Sequence, residues 1–363
     1  MNGKNENPKS KIIWIRRKLL RWYDETRRDL PWRRTRDPYA IWIAETMLQQ
    51  TQVKTVLPYY RRFLKTLPTI ETLDRAPREK VLALWSGLGY YRRAENLKKA
   101  ARMIMRMHRG KIPQDFDALH ALPGVGPYTA GALMSVAFNE AYPALDGNAR
   151  RVLTRIFDVN AERDLREIGK RLVAPSSRPG HFNQALMELG SRVCLTRYPS
   201  CAICPAAQFC VAQRSGDFHL KQLASAKREI KRIEWPLALI EQNKNILLHR
   251  RAPGGILGGL WEVPGGERKK GESLKAALAR HLNGLGERVK PNFLIGEIHH
   301  AITRHRIVAP LFRCSHNQKI HLPHPSWRWF SLSSLSRHPL SSLSLKAIRL
   351  LTTNHPPARE RKR

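Results

Sequence analysis

Apolar positions recur at helical spacing along the first part of the chain. Ile12, Ile15, Leu19, Leu20 and Tyr23 fall on one face of a helix. Asp37-Pro38 is a helix start, because an Asp side chain caps free amides and proline fits the first turn. That helix continues through Ile41, Ala44 and Leu48, with Glu45 lying among the apolar residues. Pro77 opens a further helix that ends at Gly87. Residues 92–108 are helical and Gly110 closes them, while Pro179 begins a helix reaching Val193. Residues 11–215 thus read as helix after helix, with no long-period repeat.

The pattern changes near residue 230. Residues 221–232 are polar and basic and read as a linker. Strand 237–240, a turn over 243–245 and strand 246–248 have the signature of a hairpin. Residues 293–298, 307–312 and 327–330 read as further strands, with 273–282 as the one clear helix among them. The expectation is a multi-domain protein. An all-α domain spans 11–220, and an α+β domain spans 233–352. Residues 353–363 form a basic tail.

Composition narrows the partner. A chain of 363 residues with 42% hydrophobic content can fill two cores. No run of 18 apolar residues exists, so no membrane partner is expected. Residues 1–11 are polar, without a secretory core, which points to the cytoplasm. The 65 Lys and Arg against 29 Asp and Glu give a net charge of +36, and such an excess implies a polyanionic partner such as nucleic acid. The tail at 359–363 is too short to account for it.

Four of the five cysteines are Cys194, Cys201, Cys204 and Cys210, spaced C-x6-C-x2-C-x5-C. Four thiolates in so short a segment can converge on one metal centre, and cytosolic thiols are seldom paired as disulfides. Tetrahedral zinc and an iron–sulfur cluster both suit such a donor set. Cys314, the fifth, reads as a buried small residue.

The segment Leu122-Pro123-Gly124-Val125-Gly126-Pro127-Tyr128 joins two expected helices. Gly124 and Gly126 allow a tight turn, and the helix starting at Pro127 turns free amides outward, which suits phosphate. Two acids stand near this chemistry. Glu45 sits in an apolar helix, where burial would keep it protonated, as an acid catalyst requires. On local sequence alone an exposed helical Glu is the better reading. Asp146, ahead of Gly147 and Asn148, reads locally as a helix N-cap. Two carboxyl groups in different environments can divide the roles of proton donor and stabilising anion.

Taken together, these stretches resemble the MutY family of the helix-hairpin-helix DNA glycosylases. The carriers are the run Met47-Leu48-Gln49-Gln50-Thr51-Gln52, the hairpin followed by Asp146, and the cysteine spacing. The resemblance covers roughly Ile12 to Phe330. It implies a [4Fe–4S] cluster on the 194–210 loop that is not the catalyst. It implies that Glu45 protonates adenine N7 and that Asp146 stabilises the sugar cation, with Tyr128 and Asn148 assisting. Bifunctional members carry a lysine nucleophile where Tyr128 stands. A tyrosine cannot form a Schiff base, so water is the expected nucleophile. Arg28, Trp32, Leu48 and Gln184 match the adenine pocket and its surroundings. Leu122, Gly124, Val125 and Gly126 match the strand-gripping hairpin, and Gln50 and Tyr90 match residues that wedge into the duplex. The implied partner is duplex DNA with A:8-oxoguanine or A:G mispairs, bound by a monomer at the nucleoid.

Gly254 to Gly266 resembles the entry to a Nudix (MutT-like) domain. Gly266, Glu272 and Arg280 keep the spacing of the Nudix signature, but His281, Gly284 and Leu285 stand where it has glutamates. Magnesium needs several carboxylate oxygens, so the resemblance implies a domain that binds 8-oxoguanine rather than hydrolyses a nucleotide. In the reading loop Thr303 keeps a hydroxyl, while Arg304 replaces the histidine of the family pattern Phe-Ser-His. Two other functions compete. An iron–sulfur glycosylase for oxidised pyrimidines would need a lysine at Tyr128, and a non-enzymatic iron–sulfur DNA-binding protein would not need Glu45 and Asp146 together.

Overall fold

The structure is a computed structural model that describes residues 8–354, apart from 175, 219–228, 253, 255–256, 286–288, 303, 317–319 and 321. Thr303 and most of the expected linker therefore lie outside the described residues. The chain divides into two compact units. One comprises Met1–Arg75 and Asn96–Ala226; the other comprises Ala76–Glu95 and Lys227–Arg363.

The first unit is helical. The helix Pro8–Thr26 buries Ile12, Ile15, Leu19 and Tyr23 in a core shared with Gly147–Phe157, Glu162–Val173 and Pro179–Arg192. The helix Pro38–Leu48 is buried all round, from Tyr39 to Met47 without a break, which marks it as a central element. Asp37 caps it, accepting hydrogen bonds from Tyr39 N at 3.0 Å and Ala40 N at 3.3 Å. Two glycines set how closely the helices approach. A Cβ on Gly131, in the helix Pro127–Val136, would lie 2.3 Å from the Pro143 carbonyl oxygen, and one on Gly180 would lie 2.6 Å from that of Ser135. Asn183, fully buried, donates to Ser135 Oγ and to the Tyr142 carbonyl, each at 2.8 Å, and accepts from Ala144 N at 3.1 Å. Its amide is thereby satisfied in the interior, and the strand-like run from Tyr142 to Asp146 is pinned to the helix bundle.

Among its described residues the second unit has a seven-stranded mixed sheet: β1 (Lys231–Glu234), β2 (Leu237–Gln242), β3 (Asn245–Arg250), β4 (Trp261–Glu262), β5 (Val289–Ile302), β6 (His305–His316) and β7 (Trp327–Ser331). The long strand β6 pairs in parallel with β1 and β2 and antiparallel with β5, and β3 pairs antiparallel with β2, β4 and β7. The expected hairpin is present, its turn made by Asn243 and Lys244 at φ +49° and +62°, the left-handed values of a type I′ turn. Alternate residues of β2 feed different cores. Leu237 and Leu239 pack with Leu343, Ala347 and Leu351, whereas Ala238 and Ile240 pack with Leu278 and Leu282. A helix therefore covers each face: Leu274–Leu282 on one, and Ser342–Asn354 on the other. The sequence reading found only the first of these, because serines interrupt the apolar stripe of the second. β1 begins at Lys231, inside the stretch read as linker.

The segment Ala76–Glu95 joins this second unit although it lies far from it in sequence. Its helix Arg78–Trp85 carries Glu79, which pairs with Arg250 of β3 at 2.8 Å. The Nudix remnant is closed. Arg280 donates two 2.8 Å hydrogen bonds to Glu272, and the His281 ring lies where a Cβ on Gly266 would come within 2.1 Å.

The contact at Gly131 yields a stability test. Gly131→Ala forces a methyl against backbone rather than against a flexible side chain. Overpacking of this kind costs about 1–3 kcal/mol, so the thermal midpoint should fall; an unchanged or higher midpoint would contradict this packing.

Candidate active site

A cavity of about 910 Å³ opens in the first unit. Its wall includes Arg28, Trp32, Glu45, Leu48, Gln50, Tyr128, Asp146, Asn148 and Gln184, so nine residues expected from sequence meet in one space. They arrive from separated elements: the helix Pro38–Leu48, the first turn of Pro127–Val136, the start of Gly147–Phe157 and the middle of Pro179–Arg192.

Glu45 is 7% exposed and accepts a 2.5 Å hydrogen bond from the Tyr128 hydroxyl. Burial pushes its carboxyl up to about 7. The Tyr128 hydrogen bond opposes that rise, and the charge of Asp146 adds to it. The reading of Glu45 as an exposed helical residue is thereby set aside. Burial also raises the Tyr128 hydroxyl far above its ordinary value, and the two carboxylates add to the effect. The hydroxyl therefore stays protonated and serves as a donor.

Asp146 occupies both of its readings. It N-caps the helix, with Ala149 N donating to Oδ1 at 2.7 Å, and it also faces the cavity. Asn148 Nδ2 donates to Oδ2 at 3.0 Å. Burial raises the Asp146 carboxyl, while the Ala149 amide and Asn148 oppose the rise. Arg151 holds Asn148 in turn, donating to its Oδ1 at 2.8 Å and to the Gly190 carbonyl at 2.6 Å. Gly190 is a necessary small residue here, since a Cβ would fall 2.6 Å from Asn148 Cβ.

Sequence reasoning missed one anchor of the cavity wall. Glu188 is fully buried and accepts from Arg28 Nε at 2.8 Å, Arg28 Nη2 at 2.7 Å and Arg33 Nη2 at 2.7 Å. Burial alone would raise its carboxyl, but these two guanidinium groups outweigh that and hold it at about 2. Glu188 thus fixes the planes of two arginines on the cavity wall. The signal was available, since Glu188, like Glu45, is an acid in an apolar helix, one turn after Gln184. Gln184 is fixed as well, its Oε1 accepting from the buried Tyr23 hydroxyl at 2.6 Å.

The hairpin Leu122–Tyr128 closes with a 3.0 Å hydrogen bond from Val125 N to the Leu122 carbonyl. Gly124 has φ +82°, and a Cβ there would lie 2.8 Å from Asn96. Leu122 and Val125 are buried, so their side chains anchor the turn and only backbone is left to meet a ligand. Gly126 precedes the helix with no side-chain cap, leaving its first amides open to an anion. Gln50, exposed at the cavity rim, has φ +58°, and Tyr90 has φ +48°, conformations rare for such residues and concentrated at functional sites. Tyr90 belongs to the second unit. Arg304 is exposed at the turn between β5 and β6.

Cys194, Cys201, Cys204 and Cys210 line a single small cavity. Burial, with repulsion from the neighbouring sulfurs, raises the Cys204 thiol to about 11 and also raises Cys201 and Cys210. No group of three or more His, Cys, Asp or Glu among the described residues is arranged to hold a metal ion. The cysteine segment is strapped to the Asp146 helix: Arg151 Nε donates to the Cys194 carbonyl at 2.8 Å, and buried Arg155 donates to those of Leu195 and Thr196 at 2.6 and 2.8 Å. Cys314 is buried in the second unit, as expected. Among the described residues no helix is long and apolar enough to cross a membrane.

Comparison with known proteins agrees with this geometry. Residues 43–175 match the model of the HhH-GPD superfamily base excision DNA repair proteins, and residues 237–350 match the NUDIX domain. The chain is 38% identical to the adenine DNA glycosylase of Buchnera aphidicola subsp. Baizongia pistaciae, over 66% of this chain and 70% of that protein. It is 36% identical to the Homo sapiens adenine DNA glycosylase, over 77% of this chain and 64% of the human protein. The match to the Rattus norvegicus enzyme, at 37% identity, spans 60% of its length. Among solved structures, a thermostable thymine-DNA glycosylase superposes with a TM-score of 0.54 at 31% identity, covering 57% of this chain and 98% of that one. An endonuclease III trapped on DNA shares the fold, with a TM-score of 0.51 at 24% identity over 58% of this chain and 99% of that one. From its paired carboxylates, its hairpin and these relatives, the chain belongs to the adenine DNA glycosylase family.

Proposed function

We propose that this protein hydrolyses the N-glycosidic bond of adenine mispaired with 8-oxoguanine or guanine in duplex DNA, without cutting the strand. The observation that carries the reading is the Glu45–Tyr128 pair, a carboxyl group titrating near neutrality in a buried site that also holds Asp146. Glu45 delivers its proton to adenine N7. The C1′–N9 bond then breaks with its electrons going to the neutralised base. The Asp146 carboxylate stabilises the positive sugar until a water oxygen bonds to C1′ and passes a proton to the Glu45 carboxylate left by the first step. Asn148 and the Ala149 amide orient Asp146, and Tyr128 holds Glu45. Arg28, Trp32, Leu48 and Gln184 enclose the extruded base, and Gln50 and Tyr90 each serve as a wedge in the duplex. The hairpin amides at Gly124 and Gly126 grip phosphate, which carries no sequence information. Tyr128 offers no amine for a Schiff base, which supports water as the nucleophile.

The second unit is proposed to read the oxidised base rather than hydrolyse a nucleotide. Support comes from Glu272, whose carboxylate is committed to Arg280, and from His281, which stands against Gly266 in place of a signature glutamate. The reading side chains are Thr303 and Arg304.

The four thiols suit a [4Fe–4S] cluster. They are soft donors lining one cavity, a donor set that suits a cationic iron centre held by thiolates. Cys194, Cys201, Cys204 and Cys210 would hold it, and it would cross-link the 194–210 loop. The chain's own part is done by Arg151 and Arg155, which hold that loop to the Asp146 helix. Anaerobically purified protein should contain about four irons per chain, and Cys201→Ser should lose iron together with solubility or DNA binding. Stoichiometric zinc without iron would overturn the assignment.

The acid has its own test. Glu45 is active when protonated, so single-turnover excision should fall above pH 7 by about tenfold per unit, and it should fall again in acid as the Asp146 carboxylate takes up a proton. Tyr128→Phe removes the hydrogen bond that holds the Glu45 carboxyl down and should move the alkaline limb to higher pH. Glu45→Gln should slow excision by at least ~10²–10⁴ while DNA binding persists. Near-normal cleavage by Glu45→Gln would refute the role.

A further inference from the structure

Tyr90 stands on a turn of unusual backbone. Gly87, Gly89 and Tyr90 have φ of +100°, +74° and +48°, so three of four consecutive residues are left-handed. A tyrosine keeps such a conformation only where its surroundings dictate it. Here they do so from two sides.

Beneath the turn, Trp85 Nε1 and Arg93 Nη2 both donate to the Gly89 carbonyl at 3.2 Å. The buried Arg93 guanidinium lies 5.4 Å from the Trp85 ring and 5.5 Å from the Tyr90 ring, within reach of cation–π attraction to both. Behind it stands Leu340, which leads into the C-terminal helix. The Tyr91 hydroxyl accepts from Gly87 N at 3.1 Å and donates to the Leu340 carbonyl at 2.7 Å. Ser86 Oγ donates to the same carbonyl at 2.9 Å and accepts from Leu340 N at 3.2 Å. Both polar groups of one backbone position are thus gripped by the turn. Tyr90 itself remains 43% exposed, an aromatic ring held outward on a rigid mount.

We propose that the C-terminal unit sets the bearing of Tyr90, with Leu340 as the fixed point and Ser86 and Tyr91 as positioning residues that clamp the turn to it. The proposal rests on the reading of Tyr90 as a wedge in the duplex. A wedge already ordered before binding avoids the entropy cost of ordering it on contact. The C-terminal unit would then serve adenine extrusion as well as recognition of the opposite base, although the family model assigns residues 76–95 to the glycosylase half.

The test uses the full-length protein. Ser86→Ala/Tyr91→Phe removes two oxygens and keeps the rings. Single-turnover excision from duplex A:G should slow about ten- to a hundredfold, the scale set by small misplacements. Fluorescence of 2-aminopurine beside the target adenine, which rises on unstacking, should increase less than with wild type. Excision of adenine opposite an abasic analogue, where no pair must open, should be little changed. Added to Tyr90→Ala, the pair should cause no further loss on the duplex, because it acts through Tyr90. If the double variant melts early, Tyr91→Phe alone carries the same comparison. Full additivity with Tyr90→Ala, or equal slowing on both substrates, would overturn the clamp. If Tyr90→Ala leaves duplex excision and the fluorescence rise intact, the wedge reading itself fails.

Discussion

The site depends on a carboxylic acid placed where ionising it is costly. Glu45 sits in a helix whose neighbours are all buried, and among the described residues its hydrogen bond is with a hydroxyl rather than a cation. That choice sets its chemistry. A guanidinium in the place of Tyr128 would lower the carboxyl and strip it of its proton, as Arg28 and Arg33 do to Glu188 on the same helix face as Gln184. One cavity thus holds carboxyl groups pushed in opposite directions: burial takes Glu45 up to about 7, and two guanidinium groups hold Glu188 at about 2. The difference lies in their partners, since burial raises both.

Asp146 is built to a third specification. Its position at a helix N-terminus and its bonds to the Ala149 amide and to Asn148 favour the anion, while burial disfavours it. Its surroundings are stiff. Asn148 is held by Arg151 and packs against Gly190, and the approach from Tyr142 to Ala144 is pinned by Asn183. The same Arg151 reaches the cysteine loop, so the loop and the anion share one rigid helix. This explains why four cysteines with no place in the cavity lie so close to it in sequence and in the fold.

Much of this was legible because it is local. Asp37-Pro38, Pro127 and Pro179 mark helix starts by cap and ring chemistry, the Asn-Lys turn requires left-handed residues, and cysteine spacing is a property of one segment. Glu45 was legible as an acid out of place among apolar neighbours. What was missed is non-local. Nothing in residues 76–95 announces that they pack with residues 227–363, because Ser86 and Tyr91 meet a backbone group at Leu340 that any residue would supply. The helix Ser342–Asn354 was hidden by serines, although Leu343, Ala347 and Leu351 keep its apolar stripe. Glu188 was passed over because its function is to hold other side chains, and its partners Arg28 and Arg33 lie about 160 residues away.

The central claim is that two carboxyl groups and a tyrosine remove adenine with water as the nucleophile. The most direct measurement is product analysis on duplexes carrying A:8-oxoguanine, A:G or thymine glycol, with the strand examined before and after alkali and with borohydride present. Free adenine is expected from the first two duplexes, with an intact strand until alkali is added and no borohydride-trapped complex. Release from thymine glycol alone, or efficient trapping of a protein–DNA adduct by borohydride, would contradict that claim.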